Sequence, residues 1–158
     1  MDDLERQTSL DHGRHPPEEK SELSRWLVEA ELISIRFPRR RSDLRLEFWS
    51  NVENVLLEIT FYQVAFLEIG NVGRVNIIDR VTWCDVEQPG QGGSERTARK
   101  VFSGWGLHLL SKVPDYHLQK LWREVDAGEI FLLEIEPVYG ACTVIGARSF
   151  QTRTLEQS

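Results

Sequence analysis

The longest apolar-rich run in the chain, Val55 to Gly70, alternates in polarity. Leu57, Ile59, Phe61, Ala65, Leu67 and Ile69 fall on one side, and Glu58, Thr60, Tyr62 and Glu68 on the other. Successive side chains of a strand point to opposite faces, so this period describes a strand with one buried side. The pattern slips at Tyr62-Gln63-Val64, where Gln63 lands on the apolar side. One extra residue re-aims everything after it, so a bend, a bulge or a break between two strands is predicted there. The cleanest alternation is Asp43 to Trp49, with Leu44, Leu46 and Phe48 against Asp43, Arg45 and Glu47. An antiparallel sheet with one wet face produces it.

The other segments read by the same rule. Leu23, Trp26, Leu27 and Ala30 have helical spacing, but Glu31 to Phe37 alternates. A first strand is expected from about Val28 to Phe37, after a short turn of helix, with Pro38 ending it. Arg39 to Ser42 then forms a hairpin connection, and Asn51 to Asn54 a turn into the central strand. Gly70 to Gly73 has tight-turn composition and precedes a strand at Val75 to Trp83. Glu87 to Lys100, with Pro89, Gly90, Gly92 and Gly93, reads as a flexible loop. Val101 to Lys112 carries Gly104 and Gly106, which favours a strand or irregular cover over a helix. Pro114 and Asp115 open a helix over 115–127 in which Leu118, Leu121, Trp122 and Val125 form one stripe, closed by Gly128. A terminal hairpin follows, Ile130 to Ile135 and Ala141 to Phe150, with Gly140 at positive φ. The fold class is therefore α+β: an antiparallel sheet of about five to seven strands with one main amphipathic helix packed on it.

A chain of 158 residues fits one domain. Residues 1–22 carry seven acidic and three basic side chains and few apolar ones. They read as a disordered acidic tail, unable to bury enough surface to offset its ordering entropy. The domain is placed at 23–152 and a frayed end at 153–158. The net charge of −6 argues against nonspecific binding to nucleic acid or anionic lipid. The tail alone supplies four of those six charges, so the domain itself is close to neutral. The absence of a long apolar run argues against a membrane span, and the acidic start lacks the features of a secretory leader. A cytoplasmic location is expected. Cys84 and Cys142 fit no metal spacing and are read as two buried free thiols rather than a disulfide.

The order of elements resembles a set of small bacterial α+β proteins, some of them immunity proteins of toxin systems. The resemblance covers roughly residues 26–150. It is carried by Val28-Glu29-Ala30-Glu31-Leu32, by Ile59-Thr60-Phe61-Tyr62-Gln63-Val64 and by Ile135-Glu136-Pro137-Val138-Tyr139-Gly140-Ala141. It implies a protein partner and no catalytic residues.

Candidate chemistry is sparse. His12 and His15 lack the further ligands a metal site needs, and His108 and His117 have no cysteine or acidic residue at ligand spacing. No metal or cofactor is implied. Glu134 and Glu136 share one face of a strand about 7 Å apart, within the range for paired carboxylates in a glycosidase. A small hydrolase using them with His117 in a cleft is the alternative to a non-enzymatic binding protein. Gly90-Gln91-Gly92-Gly93-Ser94 lacks the lysine of a phosphate loop. The densest charge feature is Arg36, Arg39, Arg40, Arg41 and Arg45, with Trp49 close by. Five tryptophans and segregated charge point to partner capture. The expected contact residues are Arg39, Arg40, Arg41 and Trp49, with Trp105 as a second anchor; self-association is left open.

Overall fold

The computed structural model describes residues 15–38, 42–70, 72–86 and 88–155. Among the described residues it is α+β, as expected, with eight strands where about five to seven were expected, and four helices where one main helix and a short helical turn before the first strand were expected. Helix α1 (Lys20–Leu27) precedes β1 (Glu31–Arg36), β2 (Leu44–Ser50), β3 (Val55–Tyr62), β4 (Phe66–Gly70) and β5 (Ile77–Cys84). Three helices follow, α2 (Ser94–Val101), α3 (Gly104–Ser111) and α4 (Asp115–Asp126), and then β6 (Phe131–Tyr139), β7 (Cys142–Ala147) and β8 (Ser149–Leu155).

All strand pairs are antiparallel, in the order β4-β7-β6-β5-β1-β2-β3-β8. Opposite ends of that order are joined by very short links. Three residues connect β3 to β4, and Arg148 alone connects β7 to β8. The sheet therefore curls until its ends meet, and β3–β4 runs against β7–β8 along its whole length. The break falls where the alternation slips: Gln63 has φ 49, the left-handed region. Ala65 donates to the Gly146 carbonyl at 2.8 Å and Arg148 to that of Tyr62 at 3.1 Å, tying the two corners together.

Two apolar cores lie on the two sides of the sheet. Inside the curl are Leu44, Leu46 and Phe48 of β2, Leu57, Ile59 and Phe61 of β3, Phe131, Leu133 and Ile135 of β6, and Ile145 and Ala147 of β7. Leu23, Trp26, Leu27 and Ala30, the positions at helical spacing, dock α1 onto the same core. Rings of Trp83, Phe131 and Phe150 stack edge-on or tilted with centroids 5.3–6.1 Å apart. Outside, Leu132, Cys142 and Val144 pack against Ala98 and Phe102 of the α2 segment, Leu109 and Leu110 of α3, and Leu121 and Val125 of α4. Leu118 and Trp122 lie at the margin of that core.

Helix α4 begins and ends where its sequence says. Gly128 (φ 72) donates to the Val125 carbonyl and Glu129 to that of Glu124, the paired bonds of a Schellman stop. Elsewhere the structure corrects the pattern. The expected loop at 87–100 contains α2, and the expected strand or irregular cover at 101–112 is α3. The end expected to fray from residue 153 instead belongs to β8, paired with β3 as far as Leu155. The start of order moves from Leu23 to before Lys20. Pro17 is buried, and its carbonyl accepts from the Thr152 hydroxyl at 2.5 Å. Residues 1–14 of the expected tail lie outside the described residues.

Leu121 is 3 % exposed and its methyl group sits over Gly146. Leu121→Ala should cost about 2–5 kcal/mol in urea unfolding, whereas Tyr116→Ala on the exposed face of α4 should stay within about 0.5 kcal/mol. Equal midpoints for both variants would mean that α4 is not docked on β7.

Candidate functional site

The four-stranded half made by β1, β2, β3 and β8 has its inner side in the core, while helices α2, α3 and α4 pack on the other half. Among the described residues no helix packs on its outer side, a bare sheet surface whose residues follow from register. One row across it is Arg36, Arg45, Thr60 and Gln151; the next is Ser34, Glu47, Glu58 and Arg153. Trp49, Leu56 and Leu155 end the surface. Arg153 grips Glu58 through Nε at 2.8 Å and Nη2 at 3.2 Å, and Arg36 reaches Glu47 at 3.4 Å. Both carboxylates are largely shielded from water by these long side chains, while the guanidinium groups remain exposed. Among the described residues Arg45 has no carboxylate partner at ion-pair distance. Arg45, Glu58, Tyr62, Gln151 and Arg153 border a shallow hollow of about 180 Å³, where the Tyr62 hydroxyl donates to Gln151 at 2.8 Å.

Of the expected contact residues, Trp49 lies on this surface, half-buried on β2. Arg39, Arg40 and Arg41 lie outside the described residues. Trp105 stands on α3, 55 % exposed, in the helix-covered half, beside Pro137, Val138 and Tyr139. The two tryptophans thus belong to different halves of the sheet. Trp26, Trp83 and Trp122 serve the two cores instead. Arg45 was visible in the basic run; Arg153, over a hundred residues away, joins it only through the β3–β8 register.

The paired carboxylates have other employment. Glu134 is fully buried, and its oxygens accept from the Ser103 amide at 2.9 and 3.1 Å and from the Ser103 hydroxyl at 2.7 Å. Ser103 is the N-cap of α3, its hydroxyl accepting in turn from the Gly106 amide at 3.3 Å. A Cβ on Gly106 would sit 1.8 Å from a Glu134 oxygen, so this glycine admits the carboxylate to the helix start. Glu136 holds Arg80 through two nitrogens at 2.8 and 3.1 Å, which raises the guanidinium pKa above its ordinary value. His117 lies in a different cleft, of about 450 Å³, bordered by β4 and α4, and neither glutamate borders it. The structure therefore does not bring Glu134, Glu136 and His117 together.

Cys84 and Cys142 are buried free thiols. Loss of solvation pushes the Cys84 thiol up to about 11, with help from Asp85 and Asp126. The same cause, with Glu134 and Glu136, pushes Cys142 up to about 12. Among the described residues no group of three or more histidine, cysteine or acidic side chains is placed to hold a metal, and no helix is long and apolar enough to cross a membrane.

Compared with protein-family models, curated proteins and solved structures, the chain matches none.

Gly106→Ala should destabilise the fold strongly, because the added methyl meets a buried carboxylate. Combined with Glu134→Ala, it should cost clearly less than the sum of the two single changes, by about 1 kcal/mol or more in a double-mutant cycle. Strict additivity would mean that the two residues do not share this space.

The thiols predict a pH dependence of defined sign. Each is protonated in the folded chain at a pH where the unfolded chain has begun to ionise, so stability falls as pH rises from about 9 towards 11–12. Cys142→Ala should flatten that fall relative to the parent in urea titrations. Both thiols should also react slowly with a disulfide reagent at pH 8 until denaturant unfolds the chain.

Proposed function

We propose that this chain is a cytoplasmic, non-enzymatic binding module that captures an acidic protein partner on the bare surface of β1, β2, β3 and β8. The bacterial immunity proteins of the resemblance supply a functional analogy. One observation carries the reading: Arg36 and Arg45 are direct cross-strand partners on an exposed face. Like charges directly opposite destabilise a sheet by about 0.2–1 kcal/mol. Glu47 offsets Arg36, but among the described residues Arg45 has no carboxylate at ion-pair distance, and a partner's carboxylate would supply one. Glu47 and Glu58 hold Arg36 and Arg153 in place, which lowers the entropy lost when an acidic surface docks. Trp49 supplies an aromatic anchor at the end of the same surface. Arg39, Arg40 and Arg41, which join β1 to β2 in sequence, are assigned to the same contact.

The test is calorimetry against the toxin-like product encoded nearest this gene. Arg45→Glu faces Arg36 with an opposite charge and should fold at least as well as the parent. It should weaken binding about tenfold and reduce the salt dependence. Unchanged affinity and salt dependence in Arg45→Glu and in a triple alanine variant of Arg39, Arg40 and Arg41 would overturn the assignment.

A further inference from the structure

The curled sheet has a gap. Strands β1 and β5 are neighbours in the order, yet their ladder holds a single pair, Glu31 with Ile77. Around it the Leu32 amide donates to the Asn76 carbonyl at 2.8 Å, and Ala30 and Ile78 are bonded similarly. Beyond Leu32 the strands part. Among the described residues β1 continues to Arg36 with a ladder to β2 only, while Val72, Gly73 and Arg74 stand across from it before β5. Between them lies a groove of about 440 Å³ bordered by Glu31, Leu32, Ile33, Ser34 and Ile35 on one wall and by Val72 to Arg74 and Asn76 on the other.

Five consecutive residues of β1 border this groove, odd and even alike. Side chains of alternate parity face opposite sides of a sheet, so only the backbone edge can present them all to one space. The far wall is itself fixed. The Asn76 amide group is buried, accepts from the Gly73 and Ala141 amides at 3.0 Å and donates to the Gly73 carbonyl at 2.9 Å. Two exposed aliphatic side chains stand on its rim, Ile33 at 51 % and Val72 at 63 %, beside Glu31 and Arg74. Ile33 is the residue displaced where the β1–β2 register shifts, between Leu32 and Ser34.

We infer that this groove is a strand-addition site, taking one extended peptide segment with alternating β-branched or other aliphatic side chains, which pairs with β1 from Ile33 to Arg36. Only an extended backbone satisfies a row of strand-edge amides and carbonyls, and Ile33 and Val72 on the rim select the side chains flanking it. The site differs from the arginine surface, which uses side chains on the sheet face rather than backbone at its edge, and it stands whether or not that surface binds an acidic partner.

The experiment is selection from a random nine-residue phage-displayed peptide library on the full chain, followed by hydrogen exchange with the best synthetic peptide. The expected peptides alternate aliphatic residues, slow exchange at the amides of 33–36, and lose binding when N-methylated on one set of alternate residues but not on the other. Ile33→Asp and Val72→Asp should each weaken binding about tenfold. Tyr116→Asp, on α4, should leave it unchanged. The inference fails if no peptide is selected, if selected peptides protect other amides, or if both N-methylated sets bind alike. It also fails if sedimentation shows a dimer whose formation protects 33–36, since a second copy would then occupy the edge.

Discussion

Two bent lengths of chain cross at one place, and the fold depends on that crossing. Tyr62 to Ala65 turns against Gly146 to Arg148, and two backbone bonds hold the corner. Without it β3 and β4 would run on as one long strand, and the sheet would stay open with its apolar side exposed. With it the inner face closes over Phe61, Phe131 and Phe150, and α1 docks onto the same core. Gly146 belongs to the same constraint: a Cβ there would press on Phe66 and Leu132 at about 3 Å.

The outer layer hangs on a different device. Helix α3 is short and holds two glycines, which disfavour a helix by roughly 1 kcal/mol each relative to alanine. It forms because the buried Glu134 carboxylate meets its start, where unpaired amides and the helix dipole favour negative charge. A side chain that looks like half of a catalytic pair is therefore the peg on which the helix layer rests. Its neighbour Glu136 is spent on Arg80 at the surface.

What the sequence made legible follows from range. Alternation is local, so the inner faces of β2 and β3 could be read directly, as could the place where the long run breaks. The stripe and glycine stop of α4 were equally local. Helix α3 was hidden because Gly106 reads as a breaker until Glu134, 28 positions later, is known to need the space. Strand β8 was hidden because Gln151, Arg153 and their polar neighbours are held in a strand by pairing with β3, not by an apolar face of their own. The bare surface was half visible: Arg36, Arg45 and Trp49 lie close in sequence, but their row is completed by residues of β3 and β8. The open edge of β1 had no local sign at all, since it is defined by where another strand departs.

The bond from Thr152 to Pro17 has a topological consequence. It makes the first and last described segments neighbours on β8, so residues 15–155 form nearly a closed loop. A short linker from the end of β8 to residue 15 could join them, and new termini could be opened at the exposed turn between β2 and β3 without cutting a strand. Such a permuted chain would place β3, β4 and α1 in a new order of synthesis while keeping every pairing of the sheet. Whether the corner at Gln63 or the docking of α1 organises folding then becomes a question of which order folds faster.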